Sequence, residues 1–224
     1  AAALKVQGRT DVRVVAQGGD GGSADIGMGC LSGMFERNDD VLYICYDNGG
    51  YMNTGVQRSS ATPPGARTAT TIAAGEQPGN AFGQGKFVPA IAMAHDIPYT
   101  ATATVADLRD LEAKVRHAMS IHGARYIQIL VPCPLGWGTA SDETIKIARL
   151  AKETGIFPVF EAENGVLTNS LKIRKKLPVE EYLRPQKRFA HLFGARPRVD
   201  IIARLQAIAD RNIRKYRLLE NQEG

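Results

Sequence analysis

The sequence lacks the features that mark membrane and secreted proteins. Its mainly apolar segments, such as Ile127–Val131, are far shorter than the about 20 residues that span a bilayer. No charged and then apolar leader opens the chain, and its three cysteines (Cys30, Cys45 and Cys133) are too widely spaced for a disulfide framework. We therefore expect a cytoplasmic protein with no membrane partner. An initial methionine is also absent, so the 224-residue sequence is expected to be processed or to be a piece of a longer polypeptide.

Aromatic residues are few, and neither sign of charge is in strong excess. Aromatic residues make up 7% of the chain, and the net charge is only +5. The positive charge is concentrated late, in 172–176 and 184–198, where no regular series of stacking aromatic residues accompanies it. Nucleic acid is therefore not expected as a partner. These basic segments are expected to form a solvated face, or a patch that faces an acidic partner or ligand phosphates.

Short apolar runs alternate with helical patterns along the chain, which predicts a doubly wound, mostly parallel α/β sheet. Residues 1–165 are expected to form this domain without its N-terminal segment, and 166–224 a basic helical extension that packs on the domain or on a partner subunit. The long polar stretch 47–86 is predicted to be a loop that is either functional or disordered. Asp107 is expected to cap its helix. Predicted strands cover 12–16, 41–46, 99–104, 126–131 and, as the last strand, 158–162; predicted helices cover 23–37, 88–95, 107–123, 141–154 and 199–219.

Two polar motifs each follow a predicted strand. Gly18-Gly19-Asp20-Gly21-Gly22-Ser23 follows the first strand, and Asp47-Asn48-Gly49-Gly50 follows the second. In a parallel sheet both motifs lie at the carboxyl edge, where α/β folds bind ligands. The glycines allow close approach of a phosphate to backbone N–H groups, and Asp20, Asn48 and a nearby carbonyl provide the oxygen ligands that Mg²⁺ prefers. The pair of motifs predicts half of a magnesium–diphosphate site.

Two other nucleotide-binding patterns do not fit. A dinucleotide-binding fingerprint needs G-x-G-x-x-G at the start of a helix and an acidic residue about 20 positions later. A nucleoside-triphosphate loop needs Ser or Thr after Gly-Lys, whereas Phe87 follows Gly83-Gln84-Gly85-Lys86. We therefore interpret 83–86 as an ordinary loop.

Several longer segments resemble the beta subunit of pyruvate:ferredoxin oxidoreductase, a thiamine-diphosphate-binding member of the 2-oxoacid:ferredoxin oxidoreductase family. The resemblance extends over nearly the whole chain. An oxalate-using relative would look similar in these segments. They are GDGGSADIG (19–27), YICYDNGGYMNTGVQRS (43–59), AHDIPY (94–99), PCPLGWG (132–138) and VEEYL (179–183).

The resemblance implies reversible oxidative decarboxylation of pyruvate, with coenzyme A as acyl acceptor and a 4Fe–4S cluster that passes electrons to ferredoxin. It implies the fold of the diphosphate-binding domain of thiamine enzymes. Mg²⁺ would be held by the side chains of Asp20 and Asn48 and by the carbonyl of Gly50. Asn53 would be the catalytic residue beside the substrate. The residues implied to bind the cofactor are Gly19, Asp20, Gly21, Gly22, Ser23, Asn48, Gly50, Tyr51 and Asn53.

Cys133 is implied to be a ligand of the cluster. In the family, the other three ligands belong to a segment upstream of the glycine motif, which this sequence begins too late to contain. Cys30 and Cys45 are expected to be core residues. We therefore expect either that the upstream segment is a separate piece or missing, or that the cluster has been lost.

The resemblance also implies partners. These are a pyrimidine-binding alpha subunit, a gamma subunit and a ferredoxin-like delta subunit, and the glutamate that activates the cofactor would come from another subunit or domain. We therefore expect this chain to be inactive alone. Three alternatives stay open at this point: an enzyme for another small 2-oxoacid such as oxalate, a non-redox thiamine-dependent decarboxylase or synthase, and a non-catalytic scaffold subunit.

Overall fold

A computed structural model of the protein describes residues 1–220 and contains one main β-sheet. Its strand order is β1-β2-β6-β5-β7-β8. The first four strands in this order run parallel, and β7 pairs antiparallel with both of its neighbours, β5 and β8. The strands within these residues are β1 (Val14–Gly19), β2 (Val41–Asp47), β3 (Ala73–Ala74), β4 (Gln77–Pro78), β5 (Tyr99–Thr104), β6 (Arg125–Leu130), β7 (Phe160–Glu163) and β8 (Val166–Ser170). The mostly parallel α/β sheet is as predicted. Strands β3 and β4 form a separate two-residue ladder in the long polar loop.

Helices cover both faces of this sheet. They are α1 (Ala2–Val6), α2 (Met28–Glu36), α3 (Val88–Ala94), α4 (Leu108–Ser120), α5 (Pro134–Trp137), α6 (Thr144–Glu153), α7 (Glu180–Leu183) and α8 (Val199–Lys215). Short 3₁₀ segments occupy Ser141–Glu143 and Lys187–Phe193. Across residues 1–220, no helix has the length and apolar character needed to cross a bilayer.

The two faces follow from the alternation of side chains along β2. Cys45 packs with α2 and α3 on one face, whereas Leu42 and Ile44 pack with α4 on the other. Because both faces are covered, the parallel strands read as nearly continuous apolar runs. The expectation that Cys30 is a core residue is wrong. Cys30 is exposed because Leu31 and Phe35 occupy the side of α2 that faces the sheet.

The glycine-rich segment after β1 does not continue as a single helix. Strand β1 extends through Gly19, three residues beyond the predicted end, because its last residues pair with β2. A π-helical turn then spans Gly21–Ile26, and α2 begins only at Met28. The Gly27 N–H donates to the Gly22 carbonyl at 2.8 Å, and a Cβ at Gly27 would lie 2.6 Å from that oxygen. Glycine at position 27 is therefore what permits this tight turn.

The end of the sheet differs from the prediction. Strand β7 is not the last one, because Val166–Ser170 forms β8 rather than a helical segment. Asn164 and Gly165 both have positive φ values, 48° and 75°, as a tight hairpin turn between antiparallel strands requires. The division of the chain at residue 165, within this hairpin, stays a prediction. Residues 221–224 of the predicted extension lie outside the described residues.

Asp107 precedes α4, but it does not cap the helix through its side chain. The carboxylate accepts hydrogen bonds from Lys152 Nζ at 2.9 and 3.1 Å, and no capping bond to the helix is present. The helix start was thus located by sequence, whereas the role given to Asp107 was wrong because a neighbouring helix supplies a cation. The terminal helix α8 also ends earlier than predicted, at Lys215.

Candidate metal and diphosphate site

The two polar motifs meet at one edge of the sheet. Strands β1 and β2 pair in parallel with Gly19 opposite Tyr46, so the residues that follow emerge side by side. The backbone N–H of Asn48 donates to Asp20 Oδ1 at 3.2 Å. The two motifs therefore lie side by side at the carboxyl edge of the sheet, as predicted.

Three groups with oxygen atoms converge at this edge. The end of the Asn48 amide that points at Asp20 lies 3.0 Å from Asp20 Oδ1 and 2.8 Å from the Gly50 carbonyl oxygen. With the amide nitrogen at this end, Asn48 donates a hydrogen bond to each oxygen. With the amide oxygen there, three oxygens face one another, an arrangement that a cation between them would stabilise. A carboxylate, an amide and a carbonyl are donors that suit Mg²⁺.

Acidic, histidine and cysteine side chains alone do not form such a site. Within residues 1–220, no group of three or more of them surrounds a common metal position. The fit to a magnesium ion therefore depends on the amide and carbonyl oxygens, and on ligand oxygens that a diphosphate would add.

Asp20 is almost completely buried, with 2% of its surface exposed. Ser59 Oγ donates to Asp20 Oδ2 at 2.5 Å. Burial raises the pKa of Asp20 above its ordinary value, although the hydrogen bonds from Ser59 and Asn48 oppose this effect. A cation beside this carboxylate would favour its charged form.

A second buried carboxylate lies directly behind the first. Asp47 accepts hydrogen bonds from the Gly49 N–H at 3.0 Å and from Gln128 Nε2 at 2.7 Å. Burial, together with the nearby charge of Asp20, raises the pKa of Asp47 to about 7. Sequence reasoning assigned no role to either Asp47 or Gln128. The available signal was a glutamine between two pairs of mainly apolar residues in strand β6, Tyr126-Ile127 and Ile129-Leu130.

A buried arginine and a tryptophan complete the floor of the site. The Arg188 guanidinium carbon lies 3.7 Å from the centre of the Trp137 ring. Arg188 also donates to Gln186 Oε1 at 2.8 Å and to the Tyr182 hydroxyl at 3.2 Å. Trp137 Nε1 donates to the Asn48 carbonyl oxygen at 2.7 Å. Arg188 was expected among the basic residues of the extension, so its burial was not predicted.

The glycine motif leaves backbone bare next to these groups. A Cβ at Gly21 would lie 2.5 Å from ring atoms of Tyr51, whose hydroxyl donates to the Gly21 carbonyl at 3.0 Å. Gly22 has open space around it. Ser23 is buried, and its hydroxyl bonds the Gly19 carbonyl at 2.8 Å and the Tyr43 hydroxyl at 2.9 Å. The side chain of Ser23 is thus used within the protein, which leaves its backbone as the part that can face a ligand.

Asn53 lies at the exposed tip of a short turn. The Tyr51 N–H donates to the Gln57 carbonyl at 2.9 Å, and the Val56 N–H donates to the Tyr51 carbonyl at 3.0 Å. Val56 has a φ of 64°, which is unfavourable for a β-branched residue and costs about 1–3 kcal/mol. Such strain is common at ligand-binding sites, and here it lies three residues after the exposed Asn53.

Cys133 follows β6 and is partly buried. Its Sγ accepts a weak hydrogen bond from the Gly136 N–H at 3.4 Å. Cys30 lies in α2, and Cys45 lies in β2, where burial raises the pKa of its thiol to about 12. A thiol with so high a pKa stays protonated and is a poor metal ligand. The chain therefore brings one cysteine, not four, to this edge of the sheet.

The loop at 83–86 is a loop, as predicted. Lys86 Nζ donates to the Ala24 carbonyl at 2.7 Å and pairs with Asp25 at 3.5 Å. The lysine thus contacts the turn after the glycine motif. No helix begins directly at the lysine, since α3 starts at Val88.

Comparisons with known proteins agree with this arrangement. The family described as "Thiamine pyrophosphate enzyme, C-terminal TPP binding domain" matches residues 1–129. Pyruvate synthase subunit PorB of Methanosarcina barkeri is 50% identical over 97% of this chain and 73% of its own length. PorB of Methanocaldococcus jannaschii is 51% identical over 81% of this chain and 60% of its own length. The chain thus spans between 60% and 73% of these two relatives.

Two further proteins, whose names give other substrates, are also similar. Ketoisovalerate oxidoreductase subunit VorB of Pyrococcus abyssi is 48% identical over 84% of this chain and 61% of its own length. The solved structure of 2-oxoglutarate:ferredoxin oxidoreductase from Magnetococcus marinus, with 2-oxoglutarate, coenzyme A and succinyl-CoA bound, matches with a TM-score of 0.52 and 28% identity. That match covers 59% of this chain and 44% of the other.

Proposed function

This chain belongs to the thiamine-diphosphate-binding family of the pyruvate synthase PorB subunits, and from that membership we propose that it is the catalytic beta subunit, or a fragment of it, of a cytoplasmic pyruvate:ferredoxin oxidoreductase. In the reaction, pyruvate and coenzyme A give acetyl-CoA and CO₂, and two electrons pass to ferredoxin. The observation that carries the proposal is that Asp20 Oδ1 and the Gly50 carbonyl oxygen lie 3.0 and 2.8 Å from the same end of the Asn48 amide.

The strand-end motifs would hold the cofactor's diphosphate through Mg²⁺. The Asp20 carboxylate, the Asn48 amide oxygen and the Gly50 carbonyl would be the protein ligands, with phosphate oxygens and water in the other positions. Exposed backbone at Gly19 and Gly22 would let N–H groups approach the phosphates, and Gly21 would join them from beneath the Tyr51 ring. When bound, thiamine diphosphate supplies the ring that accepts the electron pair released as CO₂ leaves a 2-oxoacid.

Asn53 is proposed to donate its amide N–H to substrate oxygen. An amide is neutral, so it can stabilise developing negative charge without losing a proton. The strained turn that ends at Val56 would keep this side chain extended toward the substrate, and Tyr51 would support the turn from the glycine motif.

Cys133 is proposed to bind the 4Fe–4S cluster closest to the cofactor. The other three thiolates and the activating glutamate must come from outside this sequence, so activity requires other subunits or segments. Pyrimidine-binding alpha, gamma and ferredoxin-like delta subunits are the proposed partners. Ferredoxin is the proposed electron acceptor.

Pyruvate is the proposed substrate because the relatives that are 50% and 51% identical to this chain are pyruvate synthase subunits. The 48% identity to a ketoisovalerate oxidoreductase subunit makes branched 2-oxoacids the comparison to test. Side chains from partner subunits are expected to line much of the substrate pocket.

The test uses the assembled enzyme with wild-type beta subunit and with Asp20→Ala or Asn53→Ala. Wild-type enzyme should bind thiamine diphosphate with Mg²⁺, show the brown colour of iron–sulfur clusters, and reduce ferredoxin or a viologen dye faster with pyruvate than with ketoisovalerate, oxalate or 2-oxoglutarate. Asp20→Ala should abolish cofactor binding. Asn53→Ala should keep binding but lower kcat by about 100-fold or more, as the loss of an oxyanion donor does.

The rival functions give different results in the same assays. A colourless enzyme that decarboxylates pyruvate without reducing the dye would indicate a non-redox thiamine enzyme. A complex that binds no cofactor, or whose activity is unaffected by both substitutions, would indicate a scaffold subunit.

A further inference from the structure

The segment that would hold the metal contacts the cysteine-bearing turn at two points. Trp137 Nε1 donates to the carbonyl oxygen of Asn48, whose side chain is a proposed magnesium ligand. The Met52 side chain lies against Gly136 so closely that a Cβ there would overlap Met52 Sδ. Met52 directly precedes Asn53. Both residues proposed to serve the cofactor are thus joined to the turn that follows Cys133.

The cysteine-bearing turn is constrained by its backbone and by close packing. Helix α5 is one turn long, with Pro134 at its first position. The Trp137 N–H donates to the Cys133 carbonyl at 2.8 Å. Gly138 ends the turn with a φ of 65°, and a Cβ there would lie 2.7 Å from Lys187 Cβ. Because these constraints leave little freedom, a shift of the Trp137 ring would displace Cys133 as well.

Arg188 fixes the indole ring from its other side. Trp137 is 1% exposed and Arg188 6% exposed, so their stacking is screened from water. A Cβ on Gly49 would lie 3.1 Å from Arg188 Nη1, so the guanidinium also touches the segment next to Asn48. Trp137 and Arg188 therefore lie between the Asn48-Gly49 segment on one side and the Cys133 turn on the other.

We propose that Trp137 and Arg188 are positioning residues that hold the Asn48–Met52 segment and the Cys133 turn as one unit, so that the geometry of the metal site and that of the cluster ligand depend on each other. The inference rests on the proposed function. It assigns no chemical step to either residue, since neither is placed against substrate.

The test variant is Trp137→Phe, which keeps an aromatic ring under Arg188 but loses the N–H. The Asn48 carbonyl would then lack its buried donor, and cofactor binding would have to order the segment. We expect the Kd for thiamine diphosphate with Mg²⁺, measured by calorimetry on the assembled enzyme, to rise about tenfold. The electron paramagnetic resonance spectrum of the reduced cluster should change as well, because Cys133 is held less rigidly.

The matched control is Tyr99→Phe. Tyr99 is fully buried in the same sheet, and its hydroxyl donates to Glu161 at 2.6 Å, at the opposite end of the strands. This control loses one hydrogen bond from a buried aromatic residue, so it should leave the Kd within twofold of wild type and the spectrum unchanged. Equal effects of the two variants, or a wild-type Kd and spectrum in Trp137→Phe, would overturn the inference.

Arg188 provides an independent pair of variants if Trp137→Phe fails to assemble. Arg188→Lys keeps the charge but loses the planar stacked group, and Arg188→Met loses both. A positioning role predicts that both raise the Kd and alter the spectrum, whereas normal behaviour of Arg188→Lys would overturn it. Absence of cofactor or cluster in wild-type enzyme would instead refute the proposed function, so the two failures are distinguishable.

Discussion

Replacement of Asp47 by asparagine should stabilise the cofactor-free protein at neutral pH. Asp47 is 7% exposed and lies near the buried Asp20, and these two factors raise its pKa from 3.8 to about 7. The hydrogen bonds from Gly49 and Gln128, and the positive charge of Arg188, only partly oppose this shift. The folded protein therefore holds the Asp47 proton more tightly than the unfolded chain does.

The sign and size of the effect follow from linkage. A folded-state pKa that is raised means that the folded state binds protons more tightly, so stability is lost as pH rises from about 4 through about 7. Three pKa units correspond to about 4 kcal/mol above pH 7, and roughly 2 kcal/mol has already been lost at pH 5. Asp47→Asn removes this loss. Relative to wild type, the variant should gain about 2 kcal/mol more at pH 8 than at pH 5.

The new amide also faces the Gln128 amide at a cost of about 1 kcal/mol, but this cost does not depend on pH and cancels in the difference. Urea unfolding with a chelator present, at pH 5 and pH 8, measures both terms. Asp11→Asn, at a side chain that is 73% exposed, is the matched control and should differ by less than about 0.5 kcal/mol between the two pH values. If Asp47→Asn lost stability relative to wild type on going from pH 5 to pH 8, the reasoning about its burial would be refuted.

Three further predictions follow from the site. Gly21→Ala should lower the free energy of unfolding by about 1–3 kcal/mol because the new Cβ would meet the Tyr51 ring. Gly22→Ala places its Cβ in open space and should change the free energy of unfolding by less than about 0.5 kcal/mol. Urea unfolding compares the two variants, and equal losses would contradict the contact between Gly21 and Tyr51. A thiol reagent should label Cys30 in the native chain and Cys45 only after unfolding, as mass spectrometry would show; early labelling of Cys45 would contradict its burial. Dialysis of the assembled enzyme against a chelator should release thiamine diphosphate, and Mg²⁺ should restore its binding; retention without the ion would argue against a metal-bridged diphosphate.

Much of the sheet could be predicted because its inner strands are short apolar runs bounded by turns. Tyr99–Thr104 was predicted to the residue, since both faces of β5 are covered, Pro98 marks its start and the helix start at Asp107 follows its end. Strand β1 was harder to delimit. Its last residues are glycines, whose strand character comes from pairing with β2 and not from their own preference.

The β7–β8 hairpin was not predicted because its second strand is polar. Val166–Ser170 is a mostly exposed edge strand, so it lacks the apolar run that marked the inner strands. The Asn164-Gly165 turn was the available signal, and it was read only as the end of the domain. Similarly, Cys30 was placed in the core because the helix was identified without deciding which of its sides faces the sheet.

Some residues of the candidate site could be predicted from their local sequence, whereas others depend on long-range packing. Asp20 and Asn48 were found because each is adjacent to a strand end, and parallel pairing brings such ends together. The role of Arg188 could not be predicted from a strand end in this way. Arg188 lies 140 positions beyond Asn48, in a segment whose composition is that of a solvated surface. Only the packing of 182–188 against Trp137 buries its charge.

The buried charges of this site affect one another, so their energetic cost is considered for the group as a whole. Two carboxylates face one guanidinium here, and the desolvation of each charge opposes folding. A divalent cation would favour the ionised carboxylates and so oppose the pKa shifts that burial produces. The cofactor-free protein is therefore expected to give up stability at neutral pH because it keeps buried carboxylates whose charge a bound cation would stabilise. On this argument, the substitution that most stabilises the empty protein should also be among those that most weaken cofactor binding.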